Sequence, residues 1–316
     1  MRALAAAQAM LRAGAFDRAL AMLSTADAGP LEDPARARVD LLRAQIAFAS
    51  RHGNEGAPLL LAAARRLEPL DAALARDTYL DAYSAAMFAG RLTNGAGLAE
   101  IAQAARRLPS PSQRSGKADL LLHGLTVLFT DGYPVATSIG RTVLQAFRSP
   151  NLTVEDGLRW LSLASVAAAD LWDDESRHVL SARHVQMARD SGALSELPLA
   201  VNSRAVAHVL AGELDAAAVL VEELQAVQQA TGTDLASYAA LSLAAWQCRE
   251  QQAGELIQSP LRGVVPRGEG IGVTIAQWAS ALLSNGLGRH EDALVAARQS
   301  VWDPIEFAAP NWGLCD

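Results

Sequence analysis

A six-residue signature recurs along this chain at a near-constant interval, and it restricts the fold more than any other feature. It consists of a small residue, any residue, an apolar or bulky one, two of any kind, then alanine. It reads Gly14-x-Phe16-x-x-Ala19, Gly212-x-Leu214-x-x-Ala217 and Gly288-x-His290-x-x-Ala293, with Asp131-x-Tyr133-x-x-Ala136 as a close variant. Weaker echoes begin at Gly53, Gly90, Asp170 and Cys248. The eight starting points (14, 53, 90, 131, 170, 212, 248, 288) are separated by 39, 37, 41, 39, 42, 36 and 40 residues. A period of this size, with apolar helical pattern between the marks, indicates a solenoid of helix pairs. Such an architecture moves the functional question from catalysis towards recognition.

Each unit reads as one helix running into the small residue, a turn, and a second helix returning. Glycine at the turn tolerates a positive φ. Five residues on, alanine sits where the two helices cross, because a larger side chain would push their axes apart. The same demand falls on the first helix about two turns before the mark. There stand Ala7, Gly124, Ala205 and Ala281 in the four best repeats, and Ile46, Tyr83, Leu163 and Leu241 in the weaker ones. Loops are expected between units at Ala28-Gly29-Pro30, from Leu108 to Ser112, at Ser149-Pro150-Asn151 and from Ser259 to Gly272, where Pro and Gly end helices.

Composition agrees with an all-α chain. Of 316 residues 51% are hydrophobic, Ala and Leu dominate, and aromatics make up only 5%. Ala and Leu lead the helix propensities, and β-branched runs bounded by turns are nearly absent. The net charge of −7 argues against direct nucleic-acid binding by this segment. Lys117 is the only lysine among 27 basic residues, a bias to which no chemistry attaches. Two cysteines, Cys248 and Cys315, have no metal-type spacing and suit a reducing cytoplasm. Arg12 and Asp17 interrupt the N-terminal apolar run, which already fits the first repeat, so a secretory signal is not expected. No apolar stretch approaches the length needed to cross a membrane. No composition shift cuts the array, so residues 1–316 are expected to form one repeat domain.

The spacing resembles that of the tetratricopeptide repeat, stretched by a few residues per unit. Three passages narrow the resemblance: DGLRWLSLASVAAADLWDDES (156–176), ALSELPLAVNSRAVAHVLAGELDAAAVLVEE (193–223) and GEGIGVTIAQWASALLSNGLGRHEDALVAARQS (268–300). They look like the helical-repeat region of large ATP-binding LuxR-type transcriptional regulators, to which the maltose-regulon activator is architecturally related. The resemblance covers nearly the whole chain. It implies a right-handed superhelix of about eight helix hairpins with a period near 39 residues. In that family an ATPase domain precedes the repeats and a helix-turn-helix domain follows them. This chain departs from the full pattern: it has no Gly-x-x-x-x-Gly-Lys-Ser/Thr and no basic recognition helix. A piece of a longer regulator, or a truncated relative, is therefore expected.

No catalytic constellation is visible. There is no His-Glu-x-x-His, no Gly-x-Ser-x-Gly and no Cys/His nucleophile arrangement. The glycine-rich Gly268-Glu269-Gly270-Ile271-Gly272 invites a phosphate cradle but lacks the lysine and the preceding strand, and reads as an inter-repeat loop. Asp170, Asp173, Asp174 and Glu175 could hold a hard cation. At a predicted turn they read better as acidic residues favoured by the N-terminus of a second helix. His178 and His184 lie six apart and share no helix face, while packing is expected to account for His208 and His290.

One stripe stands out. Ten residues before each mark, on the first helix, come Leu4, Arg43, Leu80, Leu121, Trp160, Asn202, Tyr238 and Trp278. By resemblance to tetratricopeptide arrays this position lines the concave groove, and the second half offers flat aromatic anchors with a polar group among them. Filling of the inter-repeat core is the other reading of the same residues. The expected site is Arg43, Trp160, Asn202, Tyr238 and Trp278, with Trp160, Asn202, Tyr238 and Trp278 partly accessible on one surface. The expected function is a non-enzymatic sensor and interaction module without cofactor, cytoplasmic, binding an inducer or a protein partner in the groove. A free-standing adaptor for a peptide or protein is the alternative, and an enzyme whose site escapes motif reading the third.

Overall fold

The computed structural model describes residues 2–27, 30–109, 116–231 and 236–301. Among the described residues all regular structure is helical, with sixteen α-helices and one short 3-10 turn. The chain groups into two compact units, Met1–Gly132 with Arg267–Glu269, and Tyr133–Pro266 with Gly270–Asp316. The first carries α1 (Arg2–Arg12), α2 (Phe16–Asp27), α3 (Asp33–Arg51), α4 (Gly56–Leu67), α5 (Ala72–Ala89), the 3-10 turn Gly90–Leu92, α6 (Leu98–Ala105) and α7 (Lys117–Asp131). The second is built on α8 (Tyr133–Arg148), α9 (Val154–Asp170), α10 (Asp174–Asp190), α11 (Leu197–Leu210), α12 (Leu214–Thr231), α13 (Tyr238–Trp246), α14 (Glu250–Arg267), α15 (Gly270–Gly286) and α16 (His290–Ser300).

In both units sequence neighbours pack together, and odd-numbered helices also touch the next odd-numbered one. In the first unit α1 meets α2, α3 meets α4 and α4 meets α5, while α1–α3, α3–α5 and α5–α7 form the second set of contacts. In the second unit α9–α10, α10–α11, α11–α12 and α15–α16 are joined by α9–α11, α11–α13 and α13–α15. α13 lies between α11, α12 and α15 and buries every residue from Tyr238 to Ala245, whereas α16, packed on α15, buries only Ala297 and Ser300. Ion pairs between successive hairpins run along the exposed sides, as in Arg65–Glu100 at 3.3 Å, Arg189–Glu223 at 2.6 Å and Arg289–Glu250 at 2.7 Å.

A turn between helices lies at or within two residues of every mark. Gly14, Gly212 and Gly288 have φ of 71°, 77° and 74°. Each donates its amide three residues back, and the next residue donates five residues back, as in Gly212 N–H to the Val209 carbonyl and Glu213 N–H to the His208 carbonyl. This is the Schellman closure, which satisfies helix-end carbonyls at the cost of one left-handed residue. Two of the weak echoes use the same closure without glycine: Cys248 has φ of 51° and Trp172, two residues past Asp170, has φ of 56°. His52, Gly90 and Gly132 take positive φ at the remaining turns.

The alanines behave as their spacing requires, with one exception. Ala7, Ala19, Ala205, Ala217 and Ala253 are fully buried, and Ala136 and Ala281 nearly so. Ala205 and Ala217 share one cluster with Val206, Val209 and Val221. Ala293, on the last described helix, is only half-buried.

Not every expected loop is a loop. Ser149–Asn151 is one, while residues 28–29 and 110–112 of the other two lie outside the described residues. From Ser259 onwards the chain stays helical to Arg267, and α15 starts at Gly270. Proline and glycine there are helix breakers by local propensity, but Ala253 and Val264 are fully buried and Leu256 and Ile257 pack on the α13–α15 cluster. Tertiary packing outweighs the local cost of about 3 kcal/mol for an interior proline.

Candidate functional site

Apart from Arg43, the stripe ten residues before each mark is core. Trp160, Asn202, Tyr238 and Trp278 retain 2%, 6%, 5% and 4% of their surface, and Leu4, Leu80 and Leu121 are buried as well. The expected accessible surface of Trp160, Asn202, Tyr238 and Trp278 is therefore absent, because that position on an odd helix faces the neighbouring odd helix. Tyr238 and Trp278 fall in one cluster with Leu241, Ala244, Ile275 and Ala279. Asn202 plays a structural part, since its Oδ1 accepts the Ala239 amide at 3.0 Å. Ser237, the residue before α13, makes no side-chain cap, so Asn202 satisfies a first-turn amide from the neighbouring helix. Trp160 lies under the guanidinium of Arg159, 4.4 Å from the ring centroid. Arg43 alone in the stripe is not buried; it is half-buried and pairs with Asp27 at 2.5 Å.

The acidic run does not act as one group. Asp173 caps α10, accepting the Ser176 amide at 2.9 Å and the Ser176 hydroxyl at 2.7 Å. Asp174 and Glu175 occupy the first turn, where carboxylates suit the helix dipole, and Glu175 pairs with Arg148 at 2.6 Å. Asp170 is buried in the last turn of α9. Burial lowers the proton affinity of Arg177, while Asp174 and Asp170 oppose that shift. Among the described residues no group of three or more His, Cys, Asp or Glu is arranged to hold a metal ion.

The glycine-rich stretch is no open loop. Only Gly268 has a positive φ, of 76°, and Gly270 already belongs to α15. Glu269 is buried and bonded by Arg267 at 3.1 Å. Cys248 is an exposed free thiol, and Cys315 lies outside the described residues.

Histidines separate as their spacing requires on α10: His178 is exposed and His184 is buried. Burial pushes the His184 pKa down to about 4, against the opposing effect of the Leu158 backbone. His290 is exposed at the start of α16, 3.3 Å from Asn285, so packing does not account for it.

One cluster joins residues that no motif connects. His178 on α10 meets His208 on α11 edge to face, with ring centroids 5.7 Å apart. Arg204, one turn before His208, places Nη2 2.9 Å from His178 Nε2 and donates from Nη1 to the His178 carbonyl at 2.7 Å. His208 Nδ1 bonds Glu213, the residue after the Gly212 turn. Arg204 and His208 share a helix face by their spacing of four, but their meeting with His178 depends on packing between hairpins. No sequence pattern signals it.

Compared with protein-family models the chain matches none, and no curated protein matches it either. Among the described residues no helix is long and apolar enough to cross a membrane.

Proposed function

We propose that the chain is a non-enzymatic interaction module. In this reading it is a tetratricopeptide-like right-handed superhelix of about eight hairpins, spanning residues 1–316 as one array. It is of the kind found in LuxR-type transcriptional regulators and takes an inducer or a protein partner in its groove. The observation that carries the proposal is the coincidence of the periodic marks with turns between successive helices. An architecture in which each hairpin contacts mainly its neighbours serves to present an extended surface. In this reading Trp160, Asn202, Tyr238 and Trp278 serve the packing of the helices, since they are buried.

The test is a thermal-shift screen of the full chain against oligosaccharides and peptides, run beside ATP and duplex DNA. A ligand at about 100 times its Kd adds about 2.7 kcal/mol of stability and raises the melting midpoint measurably. Stabilisation by one ligand class without its chemical conversion is the expected result. Hydrolysis of ATP, turnover of any compound bound, or DNA binding that survives physiological salt would overturn the proposal.

A further inference from the structure

The geometry points to a proton-sensitive joint between α10 and α11, in which His178 must stay neutral for Arg204 to hold the two helices together. A guanidinium offers donors only. With Nη2 at 2.9 Å, His178 Nε2 has to accept, which an imidazole can do only when its single proton is on Nδ1. The same guanidinium donates to the His178 carbonyl at 2.7 Å and reaches the Ser181 hydroxyl at 3.3 Å. One side chain of α11 thereby makes three contacts with α10.

The charges that face His178 are Arg204 and His208 from α11 and Glu213 from the turn after it. Glu213 would welcome a proton on His178, but its carboxylate is already engaged by His208. A proton on His178 therefore meets no carboxylate that is not already engaged. It turns the acceptor into a donor facing Arg204, and the Arg204–Nε2 contact breaks. Burial first, then Arg204 and His208, hold the His178 pKa below its ordinary 6.5 in the folded chain.

A folded value below the unfolded one means that the contact is intact above pH 6.5 and weakens as pH falls from there towards the folded value. Acidification through the range in which histidines ordinarily titrate loosens this joint without touching the apolar contacts beneath it.

The experiment is a histidine titration of the full chain by NMR, with two variants. His178 should titrate below 6.5 in the native chain, and Arg204→Gln should raise its midpoint. His178→Gln keeps an acceptor for Arg204 and cannot titrate. Hydrogen exchange, corrected for intrinsic rates, should show α10 and α11 opening more readily at pH 5.5 than at 7.5 in the native chain. In His178→Gln that difference should shrink. His178 titrating at or above its ordinary value, a midpoint unmoved by Arg204→Gln, or parallel pH dependence in the native chain and His178→Gln would each overturn the inference. Should Arg204→Gln fail to fold, the native midpoint and the His178→Gln comparison still decide it.

Discussion

Replacing Trp278 with alanine separates a core residue from a groove residue. Trp278 keeps 4% of its surface and sits among Tyr238, Leu241, Ile275 and Ala279. A tryptophan side chain buries about 150–250 Å², and truncation at Cβ removes roughly 150 Å² of that. At about 25 cal/mol per Å² the loss is about 4 kcal/mol, within the range of roughly 3–5 kcal/mol for aromatic-to-alanine changes in a core. The neighbours are odd helices held on several sides, so the site has little freedom to collapse and the cavity remains. Urea denaturation followed by circular dichroism reads the difference, provided that the slope with denaturant is unchanged. A loss under about 1 kcal/mol would refute the reasoning, because only a side chain that water already reaches can be removed so cheaply.

Further expectations concern single positions. Ala217→Leu should cost about 1–3 kcal/mol by overpacking the α11–α12 crossing, where Ala217 is fully buried beside Ala205; a neutral effect on the thermal midpoint would mean that the helices do not approach there. Trp172→Gly should stabilise the chain by about 1 kcal/mol, since a residue with φ of 56° is strained and the ring is 55% exposed; a destabilisation would show that the indole packs better than its exposure suggests. His184 is neutral when buried, with its pKa lowered to about 4 against 6.5. Stability is therefore whole above pH 6.5 and falls as pH drops through that value towards 4, by up to about 3 kcal/mol. Chemical denaturation of the native chain and His184→Met at pH 7 and pH 4 should show the acid penalty shrinking in the variant, and identical penalties would contradict the assignment.

The turns are legible in the sequence because a left-handed helix end has few solutions, and glycine marks it at Gly14, Gly212 and Gly288. Where Trp172 and Cys248 take the same conformation, the mark weakens, and the register of the fifth one slips by two residues. The crossing alanines are legible for the same steric reason, although Ala293 is only half-buried. Burial of Trp160, Tyr238 and Trp278 is not legible. A stripe at one helical position is the same pattern whether a neighbouring helix or a ligand covers it. The helix through Pro260 and Pro266 is hidden by local propensity, which packing of Val264 and its neighbours overrides. The His178–Arg204–His208–Glu213 cluster is invisible in the sequence because its contacts cross from one hairpin to the next.

The measurement closest to the central claim is a backbone chemical-shift assignment of the deuterated chain, which reports φ and ψ along the whole sequence. Helical shifts should be broken by positive-φ residues at Gly14, His52, Gly90, Gly132, Trp172, Gly212, Cys248 and Gly288. Helical shifts running without interruption through Gly212 or Gly288, or extended strand shifts on either side of them, would contradict the array of helix hairpins on which everything else rests.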